Sequence, residues 1–194
     1  LKKGLAEVRR TRELHRKARR RVPYPIIALV GYTNAGKSTL FNRLTDAHVD
    51  QRDQLFATLD PTMRRLVLPS GETVILSDTV GFVSDLPHEL VEAFQATLEE
   101  VKEADLLLHV RDASHADTEA QKDDVLGVLR VFGIDEENGN GAAPLIEVLN
   151  KSDLLAESKT DAVQNRTSRA DQRMVLISAR DGGGIDELLA AIDR

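Results

Sequence analysis

The chain has 194 residues, 41% of them apolar and 30% charged, enough for one domain with a sizeable core. It has no cysteine, which excludes disulfides and thiolate metal sites and makes a reducing compartment the natural setting. No apolar run approaches the ~20 residues of a membrane span and no secretory signal is visible, so the expected location is cytoplasmic. Leu1 rather than Met as the first residue suggests a piece of a longer protein. The net charge of −6 is uneven: residues 1–21 carry ten Lys or Arg against Glu7 and Glu13, and the remainder is strongly acidic.

Residues 1–22 read as a basic helix with a thin apolar stripe (Leu1, Leu5, Val8, Leu14, Ala18), too narrow to fix it on a core. It is either a solvated linker or a surface for nucleic-acid phosphates. Pro23 and Pro25 end it, and residues 23–194 are expected to form a single domain. IIALV at 26–30 is a buried strand. It runs into GYTNAGKS at 31–38, and a helix starts near Lys37 with Leu40, Phe41 and Leu44 turned inward. Residues 46–60 are polar and irregular.

Strand-like runs at 62–69 and 73–78 flank Ser70-Gly71-Glu72 and predict an antiparallel hairpin. Pro87 opens a helical pattern. ADLLLHVRD at 104–112 is the next strand, followed by a helix carrying Val125, Leu126, Val128, Leu129 and Phe132. After a turn-rich loop at 133–143 come a strand at 144–150, a weakly patterned polar stretch at 156–173, a strand MVLIS, and a last helix facing inward with Ile185, Leu188, Leu189 and Ile192. Strands alternating with helices predict a three-layer α/β domain. Its sheet is expected to be six-stranded and mostly parallel, with one antiparallel edge strand.

The chemistry is concentrated at the ends of the strands. Residues 31–38 fit G-x-x-x-x-G-K-[ST], a loop whose backbone N–H groups cradle phosphates. Gly31 and Gly36 permit close wrapping, and Ala35 and Thr39 belong to the same cradle. Lys37 is expected to pair with the β and γ phosphates, and Ser38 to ligate Mg²⁺. Asp78, in Asp78-Thr79-Val80-Gly81, is expected to reach the same Mg²⁺, with a mobile segment after Gly81. Thr58 is the expected switch hydroxyl on Mg²⁺ and γ-phosphate, with Thr45 and Thr62 as neighbouring alternatives.

Asn150-Lys151-Ser152-Asp153 points to guanine. Asp153 can accept from N1–H and the 2-amino group, which adenine lacks, so adenine would leave the carboxylate unpaired. The stem of Lys151 can cover the base, Asn150 can brace neighbouring loops, and Ser178-Ala179-Arg180 can meet the guanine carbonyl through the Ala179 backbone. A water-positioning Gln often comes after Asp-x-x-Gly in GTPases, but here the residue is Phe82. Slow unassisted GTP hydrolysis is therefore expected, with a partner or a cation supplying the missing group. Asn34 either coordinates a monovalent cation such as K⁺ or only stabilises its turn. The five histidines show no metal-ligand spacing.

Three stretches, GYTNAGKSTLFNRLT, QLFATLDPTMRR and SDTVGFVSDLPHELVEAFQATLEEV, resemble the GTPase domain of the HflX family over residues 22–194. The leader resembles the end of the helical segment that precedes that domain. The resemblance implies a Ras-like fold, GTP and GDP as ligands with Mg²⁺, and an association with the large ribosomal subunit and its rRNA, including ribosome splitting or rescue under stress. It carries over Asn34, Gly36, Lys37, Ser38, Thr58, Asp78, Gly81, Asn150, Lys151, Asp153, Ser178 and Ala179. The family's hydrophobic residue after Asp-Thr-Val-Gly matches Phe82, and Arg180 stands where GTPases often have Lys. A monomer is expected. Two alternatives stay open on the sequence: a nucleotide-dependent binding switch with negligible hydrolysis, and an ATP-using phosphotransferase on the same loop.

Overall fold

The computed structural model describes residues 24–45, 62–79, 81, 98, 101–131, 133–134, 143–156, 160 and 173–194. The basic leader, Thr58, Phe82 and most of the 156–173 stretch therefore lie outside the described residues. In chain order the elements are β1 (Ile26–Val30), α1 (Lys37–Thr45), β2 (Thr62–Val67), β3 (Thr73–Asp78), β4 (Leu106–Asp112), α2 (Thr118–Val131), β5 (Leu145–Asn150), a 3-10 turn (Ser152–Leu154), β6 (Met174–Leu176) and α3 (Ile185–Ile192).

Six strands form one sheet in the order β2-β3-β1-β4-β5-β6. All neighbouring pairs are parallel except the β2–β3 hairpin, which makes β2 the antiparallel edge. The expected fold class is thus observed. β1 is apolar throughout because both its faces are covered, and strand side chains alternate between faces. Ile27 and Leu29 join Leu40 and Phe41 of α1 and Leu188 of α3 in one core. Ala28 and Val30 join Val125 and Leu129 of α2, together with Leu98 and Val101, in the other. Leu44, Ile185, Leu189 and Ile192 are only partly buried and line the first core.

Four strands are shorter than the stretches expected of them: β2 ends at Val67, β5 begins at Leu145, and β4 and β6 each lose residues at one end. β4 starts at Leu106 because Asp105 turns its carboxylate to the backbone N–H of Ile26 at 2.7 Å. β6 stops at Leu176 because the chain must close a loop, in which the Ser178 N–H donates to Gly183 O at 2.8 Å. His109 is a core residue, 1% exposed, and burial pushes its pKa down to about 3, so it stays neutral.

In a parallel sheet the carboxyl ends of the strands share one edge, where ligands of open α/β folds bind. Here that edge gathers the loops that leave the strands at Val30, Asp78, Asp112, Asn150 and Leu176. Leu29 is in register with Asp78 and Asp112 with Asn150.

Candidate nucleotide site

The phosphate loop turns from β1 into α1 over Gly31–Gly36. A Cβ on Gly31 would lie 2.1 Å from the Val110 carbonyl oxygen, so only glycine lets β1 leave the sheet beside β4. Gly36 has φ +95°, and a Cβ there would meet Asn150 Nδ2 at 2.2 Å. Asn34, exposed, has φ 60°, a left-handed conformation that Asn tolerates better than most residues. That backbone requirement already accounts for an Asn at this position. The carbonyls curl inward: Lys37 Nζ donates to Gly31 O at 3.1 Å and to Tyr32 O at 2.9 Å. Burial lowers the Lys37 pKa to about 8 against the opposing pull of Asp78. The ammonium is thus held at the N-terminus of α1 with little water around it, a position where an anion gains from the free helix N–H groups and the helix dipole.

Ser38, in the first turn of α1, donates to Asp78 Oδ2 at 2.7 Å. Both are oxygen ligands, the donor type Mg²⁺ requires, and they meet beside Lys37, so this pair fits the expected metal site. Thr58, the third expected ligand, lies outside the described residues. Among the described residues no cluster of three or more His, Cys, Asp or Glu could hold a metal. Gly81 is buried against the loop. A Cβ there would come within 2.9 Å of Thr33 and 3.0 Å of Lys37 Nζ, so the chain after β3 passes directly over the lysine.

The base loops are tied to the phosphate loop through Asn150. Its Nδ2 donates to Ala35 O at 2.9 Å, and its Oδ1 accepts from the Ala179 N–H at 2.9 Å. The expected bracing role is present. The Ala179 N–H, on the backbone expected to meet the guanine carbonyl, is hydrogen-bonded to Asn150 Oδ1 here. Lys151 has φ 64° and its Nζ pairs with Asp112 Oδ2 at 2.8 Å. Burial opposes ionisation of Asp112, but hydrogen bonds from Lys151 and Ser114 prevail and hold its carboxyl below the usual range. Asp153 accepts from Ser178 Oγ at 2.8 Å, and its side chain is only 13% exposed although the residue as a whole is exposed. Thr39 follows Ser38 in the first turn of α1, and the Arg180 guanidinium lies 4.0 Å from Asp153 Oδ2.

Asp112 was not among the sequence-predicted site residues. Its signal was its place at the end of a buried strand, which the register with Asn150 turns into a tether for Lys151. Gly36→Ala tests the loop bracing. The Cβ collides with Asn150 Nδ2 and the left-handed φ costs roughly 1–2 kcal/mol, so nucleotide affinity measured by titration is expected to fall at least ~tenfold. Unchanged affinity would show that the Asn150 tie is dispensable.

The family described as 50S ribosome-binding GTPase matches residues 26–151, which spans the phosphate loop, Asp78 and the start of Asn150-Lys151-Ser152-Asp153. The chain belongs to this GTPase family. Within it the chain is 48% identical over 194 residues to GTPase HflX of Caldanaerobacter subterraneus subsp. tengcongensis, covering 100% of this chain and 42% of that protein. It is 46% identical over 189 residues to GTPase HflX of Escherichia coli, covering 97% and 42%. It is also 45% identical to human putative GTP-binding protein 6, covering 100% and 35%. The chain therefore spans less than half the length of these relatives.

Among solved structures, a GTP-binding protein from the archaeon Sulfolobus solfataricus in complex with GDP superposes with a TM-score of 0.66 at 27% identity, covering 96% of this chain and 57% of that one. Era in complex with MgGDPNP and nucleotides 1506–1542 of 16S ribosomal RNA superposes at 0.68 and 23% identity, covering 87% and 55%, a likeness of fold. The GTPase family is thereby placed on a Ras-like α/β fold. No helix among the described residues is long and apolar enough to cross a membrane.

Proposed function

We propose that the chain is the GTP-hydrolysing part of a ribosome-associated GTPase that cycles between GTP and GDP and acts on the large ribosomal subunit, in ribosome splitting or rescue under stress. In this reading residues 23–194 are the GTPase domain and 1–22 a basic linker helix. The observation that carries it is Asn150, which holds the phosphate loop at Ala35 and the base loop at Ala179 with one amide. That tie keeps the phosphate loop and the base loop side by side, which supports one nucleotide spanning both.

In that site Lys37 exchanges its two carbonyl partners for phosphate oxygens and neutralises charge as it develops on the γ-phosphoryl group. Ser38 and Asp78 would hold Mg²⁺, which would supply Lewis-acid stabilisation of the phosphate charge. Asp153, kept in place by Ser178, reads N1–H and the 2-amino group of guanine. Lys151, anchored on Asp112, covers one face of the base. Thr58 closes on the γ-phosphate, and Gly81 lets the next segment approach it.

Phe82 cannot orient the attacking water, so hydrolysis alone is slow. The ribosomal subunit, or a K⁺ ion held near Asn34, supplies what is missing. The same residue favours the second reading, a binding switch without intrinsic hydrolysis, which a single-turnover assay separates. The main test is GTP turnover in potassium and in sodium buffers, with and without purified large subunits. Slow basal turnover, stimulated by subunits and higher in potassium, is expected. Equal rates in the two salts would remove the cation, and intact GTP binding with no response to subunits, in this chain and in the full-length protein, would remove the ribosomal role.

A further inference from the structure

The turn that follows β4 is organised around one carboxylate. Asp112, the last residue of β4, accepts on Oδ1 from the Ser114 N–H at 2.9 Å and from Ser114 Oγ at 2.6 Å. Its other oxygen, Oδ2, lies 2.8 Å from Lys151 Nζ. The backbone around it is pinned as well. The Ala113 N–H donates to Asn150 O at 2.9 Å, and Arg111 reaches across the loop to Thr118 O at 3.2 Å while its Nη1 holds Glu147 at 2.6 Å. The loop is thus held at both ends, and Ser114, within it, is exposed to solvent.

A carboxylate turns easily about its last torsion, whose wells are broad and two-fold. Two donors on one oxygen fix its plane, an Asx-turn reinforced by a hydroxyl. Oδ2 is thereby aimed along one line, and the ammonium that meets it is fixed in place. Lys151 is fixed at its other end too, by a left-handed backbone with φ 64°. A lysine stem is otherwise a flexible chain of four carbons, but held at both ends it forms a wall. The Asp112 and Lys151 side chains are 11% and 29% exposed, so this pair is better shielded than the surface ion pairs that water renders nearly worthless.

Resting on the guanine-site reading above, in which the Lys151 stem covers the base, we infer that Ser114 is a positioning residue for nucleotide binding: its hydroxyl locks Asp112, and Asp112 holds Lys151 over the purine ring. Ser114 touches no part of the nucleotide in this arrangement and acts only through those two side chains. A stem packs on the face of a ring and not on its edge groups. The lock therefore adds affinity for any purine diphosphate, while the choice among purines stays with Asp153.

The experiment measures GDP, IDP (no 2-amino group) and inorganic pyrophosphate in competition with a fluorescent GDP. The proteins are wild type, Ser114→Ala, Ser114→Thr and Lys151→Gly, the last chosen because glycine tolerates the left-handed backbone. Ser114→Ala keeps the N–H and loses the hydroxyl bond. GDP and IDP are both expected to weaken about fivefold, the worth of one such bond, with pyrophosphate unchanged within about twofold. Ser114→Thr restores the hydroxyl and returns both nucleotides to within about twofold of wild type. In the Lys151→Gly background Ser114→Ala is expected to have no further effect, since the two residues act in series. Unchanged affinity in Ser114→Ala, an equal loss for pyrophosphate, a loss confined to GDP, or a full additional loss in the Lys151→Gly background overturns the inference. Because Ser114 is exposed, its variants should fold, and a thermal melt checks each sample. If Lys151→Gly itself leaves GDP and IDP binding unchanged, the base-cover reading falls and the inference with it; if it weakens both while Ser114→Ala does not, only the positioning role falls.

Discussion

Lys37→Ala is expected to weaken GTP and GDP binding by roughly a few hundred- to a few thousand-fold, the about 3–5 kcal/mol lost when one member of a buried ionic contact is removed. The variant deletes the buried ammonium, the charge placed to meet the phosphates at the N-terminus of α1. The fold should survive. In the nucleotide-free protein this lysine is held in a site whose burial penalises its charge, so its removal relieves desolvation at the cost of two carbonyl hydrogen bonds. Binding of a fluorescent GDP and a thermal melt on the same sample separate the two effects. A variant that melts normally and binds within tenfold of wild type would refute the phosphate assignment.

Asp153→Asn should exchange guanine for xanthine. Ser178 Oγ donates to Asp153 Oδ1, and the asparagine retains that oxygen, so the side chain keeps its seat while its other atom changes from acceptor to donor. Guanine then presents its 2-amino donor to a donor, whereas the 2-carbonyl of xanthine presents an acceptor. Charge-assisted hydrogen bonds are worth about 1.5–3 kcal/mol each, so GDP affinity should drop about a hundredfold or more while XDP improves. Competition between the two diphosphates reads the result directly. A retained preference for GDP would place base recognition elsewhere.

The architecture was legible because each buried strand is flanked by covering helices. Ile26–Val30 is continuous apolar sequence since both faces meet a core, and α1 and α3 repeat their inward residues at helical spacing. Boundaries were less legible where a tertiary contact cut a run short, as Asp105 does at the start of β4 and the Ser178 turn does after β6. The places of the candidate residues were also readable: glycines 31 and 36, Lys37, Ser38, Asp78 and Asp153 lie at or just past the carboxyl ends of β1, β3 and β5.

By itself the sequence determined which groups are present and near which strand end each falls, because local periodicity and turn residues set those positions within a few residues. Only the tertiary structure decided how the groups are shared out. Asn150 joins residues 115 and 29 positions away, Asp112 secures Lys151, and Arg43 holds the base loop across 136 residues. Those partners are chosen by strand order and register, and neither is encoded in any short window. The Ala179 amide shows the consequence: a donor that looks available in sequence is committed once the fold brings an acceptor to 2.9 Å.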